Sequence, residues 1–293
     1  VRSLGLIDAK LLIFGGPYSN LASTEAMRSR AEDLGIAAEH TICTGDLVAY
    51  CAEPQQTVDL IRNWGIHVVM GNCEQSLSME KPDCGCGFEK GSTCSTLSID
   101  WYQYANQQIN PDSRRWMGEL PQSINFAIKE CRFKVVHGSV TSINQFIFPS
   151  TSIDIKRRQI TRAGTEAVIG GHSGIPFGQT IEDKIWLNAG AIGLPANDGS
   201  SDGWYMLLEP LDSGYLVSWH RLQYDARISY DSTLSAGMSE YAQALTDGLW
   251  PSMDILPADE RANQGRRLVV EQLRFDGYNQ SGSSQLLGVR PQD

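Results

Sequence analysis

The sequence predicts an α/β fold whose first part is organised around a buried, largely parallel sheet. Two observations carry this: β-type runs alternate with helical ones at the spacing of βαβ units, and the runs are mainly apolar, as in buried strands. "LLIF" (11–14) is the first strand, followed by a helix over about 21–34 with Ser19 or Asn20 as its cap. "HTIC" (40–43) and "HVVM" (67–70) are the next strands, separated by a helix over about 54–64. Composition then shifts to Ser, Gly, Cys and Gln over about 75–110, which reads as a long loop or insertion, and such loops are functional or disordered. "INFAIKE" and "RFKVVHG" read as two strands around a turn near Glu130. A polar helix over about 151–163 precedes the strand "AVIG" (167–170). "FGQTIEDKIWLNAG" reads as a hairpin turning at Glu182 and Asp183, and "WYMLLEP" with "YLVSWHRL" as a second hairpin. The main domain is expected to span 1–225. Residues 226–293 are expected to form a helical extension, opening on "SAGMSEYAQALTDGLW" and ending in a mobile Gly/Ser/Gln-rich tail.

A chain of 293 residues, 41% hydrophobic and 20% charged, can bury a sizeable core. Its 24 basic against 34 acidic residues give a net charge of −10. That argues against a nucleic-acid backbone as partner, but not against a small phosphate ester held in a locally positive, metal-containing cleft. No stretch approaches the roughly 20 apolar residues that span a bilayer. The start, "VRSLGLIDAKLLIF", lacks the apolar core and cleavage site of a signal peptide, so the expectation is a cytoplasmic protein without a membrane partner. In a reducing compartment its 7 cysteines are expected as thiols or metal ligands rather than disulfides. Oligomeric state leaves no mark in the sequence.

Four short motifs stand where a predicted strand stops. They are Gly45 and Asp46 after "HTICT", Gly71 and Asn72 after "HVVM", His137 and Gly138 after "RFKVV", and Gly171 and His172 after "AVIG". Ligands of open α/β sheets bind outside the carboxyl ends of strands, so four donors at four such ends can converge on one point. Taken singly, each motif has a plain structural reading: an Asp after Gly as a turn or cap, a His in an apolar strand as core.

Together, the motifs resemble those of the calcineurin-like metallophosphoesterases, in the branch of small bacterial phosphodiesterases and phosphatases. That family shows, in order, Asp-x-His, Gly-Asp, Gly-Asn-His-Asp/Glu, a lone His-Gly and Gly-His-x-His. The chain offers "CTGDLVAY", "MGNCE", "VVHGSV" and "GGHSGIPF", then "LNAGAIGLPANDG", similar to the Asn-Pro-Gly-Ser run after the last ligands. The resemblance covers about residues 10–222 and implies a two-sheet β-sandwich flanked by helices, a four-layer αββα arrangement. It leaves the cysteine-rich insert and the C-terminal extension unexplained.

The departures are informative. Gly16, Pro17 and Tyr18 stand in place of Asp-x-His, and Gly174 in place of the second histidine of the last motif. In the family those positions supply most of one metal site, so the loss is coordinated. The other site is whole, with Asp46, Asn72, His137 and His172 as implied ligands and Tyr18 as a further candidate contact. Cys73 stands where the family's histidine protonates the leaving group, with Glu74 expected to orient it or to accept a proton. Cys84, Cys86 and Cys94 follow in the insert, which is expected to fold back over the cleft. The four cysteines are compatible with a zinc or iron–sulfur site, with a redox pair, or with inert thiols.

The implied function is a metal-dependent phosphoesterase with a reduced centre, acting on a small phosphate mono- or diester. Mixed nitrogen and oxygen donors suit manganese, iron or zinc better than magnesium or calcium. Two other readings use the same residues: a non-haem iron or thiol redox enzyme on a small molecule, and a non-catalytic protein that binds or senses a metal or redox state.

Overall fold

The structure is a computed structural model that describes residues 1–269, 272–275 and 290–291. Apart from Arg290–Pro291, the tail expected to be mobile lies outside these residues. The chain opens with β1 (Arg2–Leu6), β2 (Leu11–Phe14), α1 (Leu21–Asp33), β3 (Thr41–Cys43), α2 (Pro54–Trp64) and β4 (His67–Val68). Helices α3 (Asn72–Ser78), α4 (Thr93–Gln108) and α5 (Pro111–Gly118) follow. Then come β5 (Ser123–Ile128), β6 (Cys131–Val136), α6 (Ile153–Ala163), β7 (Ala167–Gly170), β8 (Phe177–Ile181) and β9 (Lys184–Asn188). The strands β10 (Gly203–Pro210) and β11 (Tyr215–Leu222) lead into α7 (Ala226–Ser235), α8 (Ser239–Asp247) and α9 (Ala258–Ala262). The last described elements are β12 (Leu268–Val269), β13 (Gln272–Phe275) and β14 (Arg290–Pro291).

Apart from β12 and β14, which pair with each other, these strands build two mixed six-stranded sheets, one ordered β1-β5-β6-β7-β9-β8 and the other β13-β11-β10-β2-β3-β4. The expected parallel first part is the run β2-β3-β4, and the two hairpins add antiparallel neighbours. Successive residues of a strand point to opposite faces, and both faces are used. Leu11 and Ile13 enter the core between the sheets, while Leu12 and Phe14 pack outward against helices. Phe133, Val135, Ile169, Leu187, Trp204 and Met206 fill the same inner layer. On the far side, Val168 and Trp186 pack with Ile160 of α6. The result is the expected four-layer sandwich.

The region read as a long loop is different. Residues 93–108 form a helix whose cap, Ser92, accepts the Ser95 N–H, and whose Cys94, Trp101, Tyr102 and Ala105 are buried. Spacings of three and four put these on one face. Polar composition hid the periodicity. β1 was also unforeseen, because its five residues are largely exposed and it is held by parallel backbone pairing to β5. In the C-terminal extension, Met238, Tyr241, Ala244 and Leu245 join the core beneath α1, α2 and α4, and β13 extends the second sheet. Among the described residues, no helix is long and apolar enough to cross a membrane.

Candidate metal centre

The ends of β3 and β4 in one sheet and of β6 and β7 in the other place Asp46, Asn72, His137 and His172 together. His137 Nε2 lies 3.1 Å from Asp46 Oδ2, 3.0 Å from Asn72 Oδ1 and 3.0 Å from His172 Nδ1. His172 Nδ1 is 3.7 Å from Asp46 Oδ2. All four residues are buried. Two of them, Asp46 (φ 55°) and His172 (φ 52°), hold left-handed backbone conformations uncommon outside glycine, a strain that clusters at functional sites.

Each donor is fixed from behind. His137 Nδ1 is 2.7 Å from the Thr44 carbonyl oxygen, which can only accept, so this nitrogen carries the proton and Nε2 faces the centre. Asn72 Nδ2 donates to the Cys84 carbonyl at 2.9 Å, which turns Oδ1 inward. Asp46 Oδ1 accepts the Cys73 N–H at 3.3 Å, leaving Oδ2 to the histidines. The Phe146 ring stacks on His172 with centroids 4.1 Å apart. Asn188 donates to the Gly171 carbonyl at 2.8 Å and to Ser173 Oγ at 2.9 Å, gripping the loop on both sides of His172. Gly45 allows the close approach: a β-carbon there would stand 2.9 Å from His137 Nδ1.

Electrostatics divide the two imidazoles. Burial works against a charged His137, but the Asp46 carboxylate outweighs it and raises the pKa. Burial lowers His172, and the neighbouring His137 adds to that. Burial likewise opposes ionisation of Asp46, yet the two histidines hold its carboxyl well below the usual carboxylate range. Four electron-pair donors thus crowd around one shareable proton. A divalent ion bound at about 2.1 Å to each donor sets neighbouring donors about 3.0–3.4 Å apart, and most of the observed separations fall there. Among the described residues, Asp46, His137 and His172 are the group of three or more acidic, His or Cys side chains that could together hold an ion, with Asn72 as the neutral fourth donor. The residues fit a transition metal.

Other expectations need correction. Glu74 neither orients Cys73 nor faces the centre. Its carboxylate accepts the N–H groups of Asp46 (2.8 Å), Leu47 (2.7 Å) and Gly71 (2.9 Å), and so ties the two ligand-bearing loops together. Burial pushes its pKa up to about 7, the Asp46 charge adding and His137 and these amides opposing. Burial, then Asp46 and Glu74, raises the Cys73 thiol well above its ordinary value, so it stays protonated. Cys84 and Cys86, for which a metal site, a redox pair and inert thiols were all open, are paired as a disulfide where the chain doubles back at Gly85 (φ +66°). Cys94 sits apart, buried at the start of α4, so the four cysteines do not gather around one point.

The lost positions also come together. Tyr18 folds its ring directly over Gly16, where a β-carbon would collide with it, and its hydroxyl lies 3.5 Å from where a Gly174 β-carbon would stand. Its phenol is pushed well above the ordinary value by burial, then by Asp46 and Cys73. A neutral aromatic ring occupies the ground between the three replaced positions.

Comparison with known proteins places the fold. The family model described as the calcineurin-like phosphoesterase superfamily domain matches residues 19–212. The uncharacterized protein MJ0912 of Methanocaldococcus jannaschii is 24% identical over 254 residues, covering 80% of this chain and 96% of the relative. The hypothetical protein PH1004 from Pyrococcus horikoshii superposes with a TM-score of 0.69 at 16% identity, over 82% of this chain and 99% of that one. A metallophosphoesterase from Sphaerobacter thermophilus gives 0.64 at 21% identity, over 83% of this chain and 100% of that one. Both solved structures share the fold. Thr44, Asn188 and Phe146 were not singled out from the sequence. Of these, Thr44 stood in the "CTGDLVAY" motif and Asn188 in the "LNAGAIG" run.

Proposed function

The chain belongs to the calcineurin-like phosphoesterase superfamily, and we propose that it is a metal-dependent phosphoesterase working with a single-ion centre on a small phosphate mono- or diester. The observation that supports this is the convergence of Asp46, Asn72, His137 and His172 on one point, each held from its far side. Manganese, iron or zinc suits this donor set. When bound, the ion supplies Lewis acidity toward a phosphoryl oxygen and acidifies a coordinated water. Asp46 contributes the anionic donor, and the Thr44 carbonyl keeps His137 in the tautomer that offers Nε2. Cys73, protonated and shielded, is a poor acid toward a departing alkoxide. Esters whose leaving group departs without a proton are therefore the expected substrates, with slow turnover for the rest.

The test is cleavage of p-nitrophenyl phosphate and bis(p-nitrophenyl) phosphate by protein stripped of metal and reloaded with Mn²⁺, Fe²⁺ or Zn²⁺. Turnover abolished by chelator and restored by one of these ions is the expected result. Folded, metal-loaded protein that turns over neither ester would move the reading to a metal-binding protein without hydrolase activity.

A further inference from the structure

A cavity opens beside the candidate centre, and His172 belongs to both. Its lining combines aromatic residues with small and aliphatic ones. One wall carries Tyr50 stacked on Tyr241 with centroids 4.8 Å apart, and Tyr18 edge-on to Tyr50 at 4.8 Å. Another carries Phe88 stacked on Phe146 at 6.4 Å, and Phe146 in turn stacks on His172. Trp250 completes the lining, its indole N–H spent on the Pro195 carbonyl at 2.7 Å. Among the described residues, no lysine or arginine lines the cavity.

The origin of these residues matters. Phe88 rides on the loop before α4, while Tyr241 and Trp250 come from beyond residue 212, outside the stretch that matches the family. The cavity is built where the loop before α4 and the C-terminal helical region meet beside the centre.

Resting on the phosphoesterase reading, we propose that this cavity binds the organic group of the ester, and that this group is planar, aromatic and uncharged. Aromatic rings along the lining can pair with a flat group, each well-placed aromatic pair adding to the apolar area it buries. The lack of a basic side chain disfavours a nucleoside polyphosphate, whose further phosphates would be buried against rings without a counter-charge.

Three probes separate the cavity from the metal centre: methylphosphonate (head group alone), naphthylmethanol (ring alone) and naphthylmethylphosphonate (both). Binding to the full chain is read by tryptophan fluorescence and calorimetry, with and without Mn²⁺. The proposal expects naphthylmethanol to bind whether or not metal is present. It also expects naphthylmethylphosphonate to bind the loaded protein at least about tenfold more tightly than methylphosphonate. Phe88→Ala and Leu97→Asp, two half-buried positions on the rim, should each shrink that ratio to within about twofold. Failure of naphthylmethanol to bind, equal affinities for the two phosphonates, or tighter binding of ADP than of naphthylmethylphosphonate overturns the proposal. Failure of methylphosphonate to need metal counts instead against the centre, and leaves the ring-alone result to decide the cavity.

Discussion

Two neighbouring regions of the molecule share one scaffold and differ in kind. Asp46, Asn72, His137 and His172 stand on strand-end loops, and so do Gly16, Tyr18 and Gly174. The regions even touch, since the Tyr18 N–H donates to the Asp46 carbonyl at 3.2 Å. In the first, every donor is gripped from behind and points its electron pairs inward. In the second, a ring packs over a glycine and against Tyr50 and offers no charge. Placement on the loops is therefore not what makes a metal site. What distinguishes the first region is that backbone carbonyls and amides decide which atom of Asp46, Asn72 and His137 faces the centre, while the Phe146 ring stacks on His172.

The hardest test of this contrast is to remove the anionic donor. Asp46→Asn keeps the size of the side chain but loses the charge that both histidines face. Mutating an outer partner of a ligand already costs 10–100-fold in metal affinity, so loss of the charged ligand itself should cost more than about 100-fold. Metal content after dialysis, read by elemental analysis per chain, checks it. Full retention of the ion would place the centre elsewhere.

The next effect is smaller and falls on the scaffold. Glu74→Gln replaces two acceptor oxygens by one and turns an NH₂ toward backbone N–H donors of Asp46, Leu47 or Gly71. A buried donor left unmatched costs about 1–3 kcal/mol, and chemical denaturation above neutrality, where the carboxylate is ionised, should show a loss of that order. Metal affinity should fall less than in Asp46→Asn. An unchanged midpoint would mean that the two loops are held by something other than this carboxylate.

Glu74 also shows where sequence reading reached its limit. The four donors were legible because each follows an apolar strand run, and strand ends are where such a sheet collects its ligands. A carboxylate two residues after Asn72 invited a chemical role, yet its partners lie 27 and 28 positions back along the chain, at Leu47 and Asp46, and only the packed fold pairs them. The sandwich was legible in its central strands, from "LLIF" to "YLVSWHRL", because burial leaves mostly apolar residues there. β1 was not, since an exposed edge strand needs no such pattern. Helix α4 was masked by Ser and Gln on its outer face, although Trp101, Tyr102 and Ala105 carried the helical spacing. The aromatic cavity could not be read at all, because Phe88, Phe146 and Tyr241 meet only through the tertiary fold.

The smallest expected effect sharpens the contrast most. Tyr18 is the one member of the second region with an atom that could serve as a ligand, and its ring lies beside Asp46. If the hydroxyl held the ion as a phenolate, Tyr18→Phe would cost metal on the scale of Asp46→Asn. Burial and the negative charge of Asp46 instead keep the phenol neutral well beyond its ordinary range, and a neutral phenol is a weak donor beside a carboxylate and two imidazoles. Phenylalanine keeps the ring over Gly16 and the edge-on contact with Tyr50, so nothing in the packing opens. The expectation is metal affinity within about twofold of the parent and a stability change within about 0.5 kcal/mol, the scale of substitutions that break no named interaction. Calorimetric titration with Mn²⁺ and a denaturation curve measure both. A tenfold loss of affinity with unchanged stability would move Tyr18 into the first region and make the centre a five-donor site.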